Sequence, residues 1–229
     1  EGKTLAIVQA RMGSTRLPNK VMKYAVGKPM IQHLIERLSR SEIIDKIVIA
    51  TSEETMNDTL ENYVKGLGYD VYRGSEDDVL DRYYRVALQY NPDIVVRITG
   101  DCPLICYEVT DMVINYFITG LPQSYNSYPG GLDTEVFSNN VLKKTWHNVR
   151  DPLEREHVTP YIRRSGLFKI GKFTCDLDLS DERWQIDYHE DLELVRKIYL
   201  NFQSSSKYFG FKDILNYKVE HPEVFQINK

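Results

Sequence analysis

Three short runs of apolar, largely β-branched residues, Leu5–Ala10, Lys46–Ser52 and Asp93–Thr99, are separated by stretches of helical periodicity, and that alternation leaves few architectures open. Runs of this kind suit strands covered on both faces, as in a parallel sheet. Tyr69–Tyr72 reads as a further strand. Between the strands, Met30, Ile31, Leu34, Ile35 and Leu38 recur at the spacing of one apolar helical stripe, with Pro29 as a first-turn proline. Ser52 and Ser75 read as helix caps. Ser75 is followed by Glu76, Asp77 and Asp78 in a first turn, then by Val79, Tyr83, Val86 and Tyr90 on one side. Residues 5–99 therefore predict βαβαβαβ, an α/β fold with a parallel sheet, helices on both faces and ligands beyond the carboxyl ends of its strands.

The rhythm breaks after about residue 120 into the Gly, Pro and Tyr-rich stretch Leu121–Leu132, followed by a strand near Thr134–Ser138. Residues of about 121–150 are expected to form a smaller acceptor lobe. A helix over Pro152–Ser165, a strand in Phe168–Leu179 and a helix from His189 to Phe202 return the chain to the core. Gln203–Ser206 reads as a linker and about 207–229 as a C-terminal helical segment. The whole, 1–229, is expected to be a single domain with no internal repeat.

Composition narrows the function classes. A net charge of −4 argues against a general nucleic-acid binder, whose affinity needs clustered, uncompensated Lys and Arg. No run of about 18 apolar residues occurs, and the N-terminus lacks the zones of a secretion signal, so the expectation is a soluble, cytoplasmic protein without a membrane partner. The chain opens at Glu1 rather than a methionine, as a trimmed chain or a piece of a longer one would. Cys102, Cys106 and Cys175 are an odd number, which argues against a disulfide framework. Cys102 and Cys106 are spaced to share a helical face, but no histidine supplies the further ligands zinc would need.

From Gly2 through Ile35 there is no Asp or Glu, yet the stretch holds Lys3, Arg11, Arg16, Lys20, Lys23 and Lys28. In an acidic protein that is a local anion site placed just after the first strand. Gly13, Ser14 and Thr15 give backbone N–H groups and hydroxyls room to approach phosphate oxygens, and Arg11, Arg16 and Lys20 can neutralise several charges, which suits a triphosphate. A solvated basic loop is the alternative. The segment is neither a Walker loop nor a GxGxxG dinucleotide loop.

Ile7-Val-Gln-Ala-Arg-Met-Gly-Ser-Thr-Arg-Leu-Pro-Asn-Lys20 resembles the signature of the cytidylyltransferases that activate ulosonic acids such as Kdo and sialic acid, in particular the spore coat polysaccharide branch. Arg97-Ile-Thr-Gly-Asp-Cys-Pro-Leu104, Gly131-Leu-Asp-Thr-Glu-Val-Phe137, Arg155-Glu-His-Val-Thr-Pro-Tyr161 and Trp184-Gln-Ile-Asp-Tyr-His-Glu-Asp-Leu192 follow in the family's order. The resemblance implies a Rossmann-like fold, a CTP donor, Mg²⁺, pyrophosphate release and a surface-glycan pathway, in a homodimer built partly from the smaller lobe.

By that resemblance Arg11, Arg16, Lys20 and Asp101 are the catalytic set, and Asp101 and Asp187 the metal ligands. Two carboxylates suffice for magnesium, whose octahedron phosphate oxygens and water complete. Read without the family, Asp101 capping a turn and Asp187 capping a helix serve equally well. The nucleotide set is Gln9, Ala10, Arg11, Gly13, Ser14, Thr15, Arg16, Lys20, Ser75, Arg82, Thr99 and Gly100, with Asp81 matching as well. Thr99 departs from the family, which commonly carries Gln there to contact cytosine, and a hydroxyl cannot reproduce both an amide donor and an acceptor. Asp133, Glu135, Arg155, His157 and Tyr161 are the acceptor set, for a small anionic acceptor. Arg155, Arg163 and Arg164 are equally readable as a solvated basic face, and Asp133 and Glu135 as turn and edge-strand residues. Two other functions compete. Asp176-Leu-Asp178 spells the Asp-x-Asp of nucleotide-sugar glycosyltransferases on a related fold, and a nucleotide-binding domain without turnover also fits.

Overall fold

The computed structural model describes residues 2–120 and 128–229. Five strands form the central sheet: β1 (Thr4–Gln9), β4 (Lys46–Ser52), β5 (Asp70–Gly74), β6 (Ile94–Thr99) and β7 (Glu135–Ser138), in the order β5-β4-β1-β6-β7. The first four are parallel, and β7 runs antiparallel along β6 as an edge strand. A two-stranded ribbon, β2 (Tyr24–Ala25) and β3 (Lys28–Pro29), sits outside that sheet. The helices are α1 (Met30–Leu38), α2 (Asp58–Gly66), α3 (Val79–Tyr90), α4 (Tyr107–Thr119), α5 (Asn139–Asn148), α6 (Pro152–His157), α7 (Pro160–Arg164), α8 (His189–Phe202) and α9 (Phe211–Glu220).

Alternate residues of the strands explain why their apolar runs are unbroken. Ala6, Val8, Ile47, Ile49, Val96 and Ile98 face α1 and α2, packing on Ile31, Leu34, Ile35, Leu38, Leu60 and Val64. Their neighbours Leu5, Ile7, Val48, Ala50 and Val95 face the other way, onto Val79, Leu80, Tyr83 and Val86 of α3 and Leu142 of α5. Each strand residue thus has a covered face, as a parallel sheet between helical layers requires. A third cluster, around the fully buried Trp184, joins α8 and α9 to Met30, Leu104 and Leu132.

Several local expectations give way to tertiary structure. Ser52 is the buried last residue of β4 and caps no helix. The cap of α3 is Asp78, whose carboxylate accepts from Asp81 N, while Ser75 Oγ accepts from Asp78 N at 3.1 Å one turn earlier. Pro29 stands extended just before α1 rather than in its first turn. The helix expected over Pro152–Ser165 is two helices, broken where Val158 takes φ 68° and Thr159 N bonds back to the His157 carbonyl at 2.8 Å. No strand runs through Phe168–Leu179: Ile170 and Leu177 are exposed, so that stretch lacks a sheet to bury them. Cys102 and Cys106 share no helix; Cys106 only precedes α4, and both are buried. Of the segment expected as a smaller lobe, residues 121–127 lie outside the described residues and Glu135–Ser138 is a strand of the central sheet. Among the described residues no helix is long and apolar enough to cross a membrane.

Gly131 is one place where backbone geometry dictates the residue. Its φ is 106°, and a Cβ there would meet Gln185 N and the Trp184 carbonyl carbon at 2.6 Å. Gly131→Ala is expected to lower stability by about 3 kcal/mol, combining a strained φ with an overpacked contact, as read by urea denaturation.

Candidate active site

After β1 the chain moves sideways to β4 and β5, and after β6 it turns the other way to β7, so β1 and β6 part company at their carboxyl ends. Such a divergence opens a crevice where ligands of open α/β sheets bind. Gly100 N–H donates to the Gln9 carbonyl at 2.7 Å. A Cβ on Gly100 would lie 2.8 Å from the Ala10 Cβ and 2.9 Å from the Gln9 carbonyl, so only glycine lets the two strand ends touch. Above this contact lies a cleft of about 270 Å³. Gln9, Ala10, Arg11, Ser14, Thr15, Arg16 and Lys20 line one side and Thr99, Gly100 and Asp101 the other, with Glu76, Val79, Arg82, Glu156 and His157 closing it.

The basic loop is held in shape from beneath. Ala10 N–H donates to the Ala50 carbonyl, and Met12 N–H donates at 2.8 Å to the side chain of Asn57, which is itself fully buried and bonded to Ser52 Oγ. Ser14 N and Asn19 N both close onto the Met12 carbonyl, with Asn19 in the left-handed region at φ 59°. Met12 is thereby the buried plug of the loop, and its basic neighbours stay on the cleft side.

Lys20 is the hub of the cleft. Its ammonium donates to the Ile186 carbonyl at 2.8 Å, lies 3.2 Å from Asp187 Oδ1 and stands 3.8 Å from Asp101 Oδ2. Arg16 reaches the same Asp187 oxygen at 3.1 Å and lies over the Tyr188 ring at 5.0 Å. Burial would raise the Asp187 carboxyl, but Lys20, Gln185 and Arg16 outweigh it and hold it below the usual carboxylate range. On the same side of the cleft Arg11 pairs with Glu76. Arg82, only 2% exposed, donates to the Ala50 carbonyl and leaves its Nε without a partner; burial depresses its pKa.

The donors fit a hard cation in one way. Among the described residues no group of three or more His, Cys, Asp or Glu side chains forms a metal site. Asp101 and Asp187 instead converge on one cation, the Lys20 ammonium, so two carboxylate oxygens already face a common positive centre. Such a pair holds magnesium when phosphate oxygens and water supply the remaining positions.

Of the residues expected to meet a nucleotide, Gln9, Ala10, Arg11, Ser14, Thr15, Arg16, Lys20, Arg82, Thr99 and Gly100 line the cleft, and Gly13 and Ser75 do not. Gly13 is turned toward Met56 and Glu76. Of the acceptor set only His157 lines the cleft. Asp133 and Glu135 line a larger cavity of about 720 Å³ between α4, β7 and residues 168–174. Glu135 is gripped by Arg97, by Arg163 at 2.7 Å and by Thr159 at 2.9 Å. Arg155 is engaged by Asp78 and by the Trp146 and Val149 carbonyls, and Tyr161 packs on Phe168; neither lines either of these two cavities. Sequence reasoning missed Asn57 and Glu76 as partners of the loop. Glu76 sits in a Ser-Glu-Asp-Asp run that imitates a helix start, and only the fold brings it beside Arg11.

The cytidylyltransferase family profile matches residues 5–214. A cytidylyltransferase structure from Leptospira borgpetersenii superimposes with a TM-score of 0.92 at 33% identity, covering 100% of this chain and 98% of that one. The spore coat polysaccharide biosynthesis protein SpsF of Bacillus subtilis is 34% identical over 85% of each chain. A 3-deoxy-manno-octulosonate cytidylyltransferase of Francisella tularensis is 36% identical over 86% of each. A basic loop, two facing aspartates and a match over most of its length agree, and the chain belongs to the cytidylyltransferase family.

Proposed function

We propose that the cleft transfers CMP from CTP to a small anionic acceptor, a sugar acid or a sugar phosphate, with release of pyrophosphate, in cytoplasmic supply of surface-glycan synthesis. The observation that carries this reading is the meeting of Lys20 with Asp101 and Asp187 at the carboxyl ends of β1 and β6. Three cations, Arg11, Arg16 and Lys20, stand on one wall where a triphosphate needs them, and each is held by a carboxylate that a phosphate can replace. Asp101 and Asp187 would hold Mg²⁺, which when bound neutralises phosphate charge and aligns the α-phosphoryl group. An acceptor oxygen attacks the α-phosphorus, the α–β bridging bond breaks, and pyrophosphate carries away the negative charge that Arg16 and Lys20 stabilise. Arg82 and Thr99 also line the cleft, and in this reading they meet the nucleoside.

For the acceptor, the 720 Å³ cavity is the favoured location, because Gln9 in the cleft is linked through Arg97 to Glu135 at its edge. Glu135 is held between two guanidinium groups, so its role in this reading is to aim Arg163 at an acceptor anion rather than to bind sugar hydroxyls. The glycosyltransferase alternative loses its main support here. Asp178 bonds Ser180 in an exposed turn, and neither it nor Asp176 lines either cavity.

A pyrophosphate-release assay crossing the four common nucleoside triphosphates with ulosonic acids and sugar phosphates is expected to respond to CTP with one acceptor class. Release of a nucleoside diphosphate from a nucleotide sugar would instead favour the glycosyltransferase reading. Asp101→Asn and Asp187→Asn should each slow turnover by about 100-fold or more with unchanged circular dichroism. Undiminished turnover would remove both residues from the chemistry. Arg163→Ala is expected to raise KM for the acceptor by about 10-fold or more, the worth of one charge-assisted contact, while the KM for CTP stays constant.

A further inference from the structure

Asp191 does far more than a helix start requires. It is the third residue of α8, where an acidic side chain commonly accepts from the N-cap amide, and it does accept from Tyr188 N at 2.8 Å. The same oxygen also accepts from Asp187 N at 2.9 Å. The other oxygen is bound by Arg183 Nε at 2.8 Å and by the Asn228 side-chain amide at 2.9 Å. Asp191 is 0% exposed, and a carboxylate is stripped of water at such cost only where its lone pairs are satisfied. Capping alone would be served by an exposed carboxylate with one bond.

Everything the Asp191 carboxylate holds leads back to the cleft. Two of its donors are the backbone N–H groups of Asp187 and its neighbour, so it fixes the turn from which the Asp187 side chain meets Lys20. Arg183 also lies over the Tyr188 ring at 5.4 Å, and the other guanidinium over that ring is Arg16. Asn228 completes the arrangement from the far end of the chain. Its amide donates to Asp191 and to the Arg183 carbonyl, the latter at 2.7 Å, and the neighbouring Lys229 pairs with Glu182. Asn228 lies outside residues 5–214, the span the family profile matches.

We infer that Asp191 and Asn228 are positioning residues for Asp187, so that the C-terminal segment sets the divalent-cation affinity of the cleft. The inference rests on the reading of Asp187 as a metal-binding carboxylate. Carboxylates that bind metals depend on hydrogen-bonded neighbours to hold their orientation, and removing such a neighbour typically weakens metal binding by 10–100-fold. Asp191→Asn replaces an acceptor by a donor facing four donors and endangers folding, whereas Asn228→Ala removes one buried amide and leaves Asp191 its bonds from Asp187 N, Tyr188 N and Arg183.

The test uses the full chain and Mn²⁺ as an electron paramagnetic resonance probe, with CTP present. Asn228→Ala is expected to weaken Mn²⁺ binding by about 10-fold, to leave metal-free CTP affinity within twofold, and to speed hydrogen exchange at the Asp187 and Tyr188 amides. Val86→Ala, which opens a hole on the α3 face, should lower the melting temperature without changing Mn²⁺ affinity. The inference is overturned if Asn228→Ala binds Mn²⁺ like the unaltered protein, or if Val86→Ala weakens it as much. Failure of the unaltered protein to bind Mn²⁺ would instead overturn the metal reading of Asp187, and this inference with it.

Discussion

The contact between Gly100 N–H and the Gln9 carbonyl is the point on which the site depends. Neighbouring parallel strands normally leave their carboxyl ends to separate connections, and here those connections run to opposite edges of the sheet. Only a residue without a Cβ allows the first amide after β6 to reach the last carbonyl of β1. That closure sets the floor of the cleft, with the basic loop rising from one strand and Asp101 from the other. It also explains why a short apolar strand followed by Ala-Arg-Met-Gly can present charge so close to a hydrophobic core: Met12 turns inward and its neighbours are left at the rim.

Charge within the cleft is organised as exchangeable pairs. Arg11 with Glu76, Arg16 with Asp187, and Lys20 with both aspartates are partly exposed pairs, and such pairs are worth little in isolation. Their low intrinsic strength suits a site whose cations must change partners when an anion enters. The buried carboxylates differ. Asp191 is saturated by donors, and Glu182, 7% exposed, is held by Lys218 and Lys229. The first group gathers at the basic loop, and the second ties the C-terminal segment to the turn beneath Asp187.

Much of this was legible in local sequence. The strands at Lys46–Ser52 and near Leu5 and Asp93 are continuous apolar runs whose two-sided burial has no other economical explanation, and α8 begins and ends where its periodicity does. The acid-free stretch marked out the basic loop that lines the cleft. Errors came where two patterns share one spelling. Ser75-Glu-Asp-Asp reads as a helix start, but the helix begins three residues later and Glu76 serves Arg11. Arg155, expected in the acceptor set, bonds Asp78, 77 residues earlier, a partner that no local pattern names. Phe168–Leu179 has the apolar content of a strand, yet among the described residues it pairs with no strand of the central sheet.

By itself the sequence determined the layered α/β sheet and the basic loop, because periodic apolar burial and local charge density are properties of consecutive residues. Which carboxylates meet that loop was decided only by tertiary structure. Asp101 and Asp187 are separated by most of a hundred residues, and no local pattern distinguishes them from caps. They become one site because β6 ends beside β1 while α8, secured through Asp191 to the tail at Asn228, delivers Asp187 to Lys20.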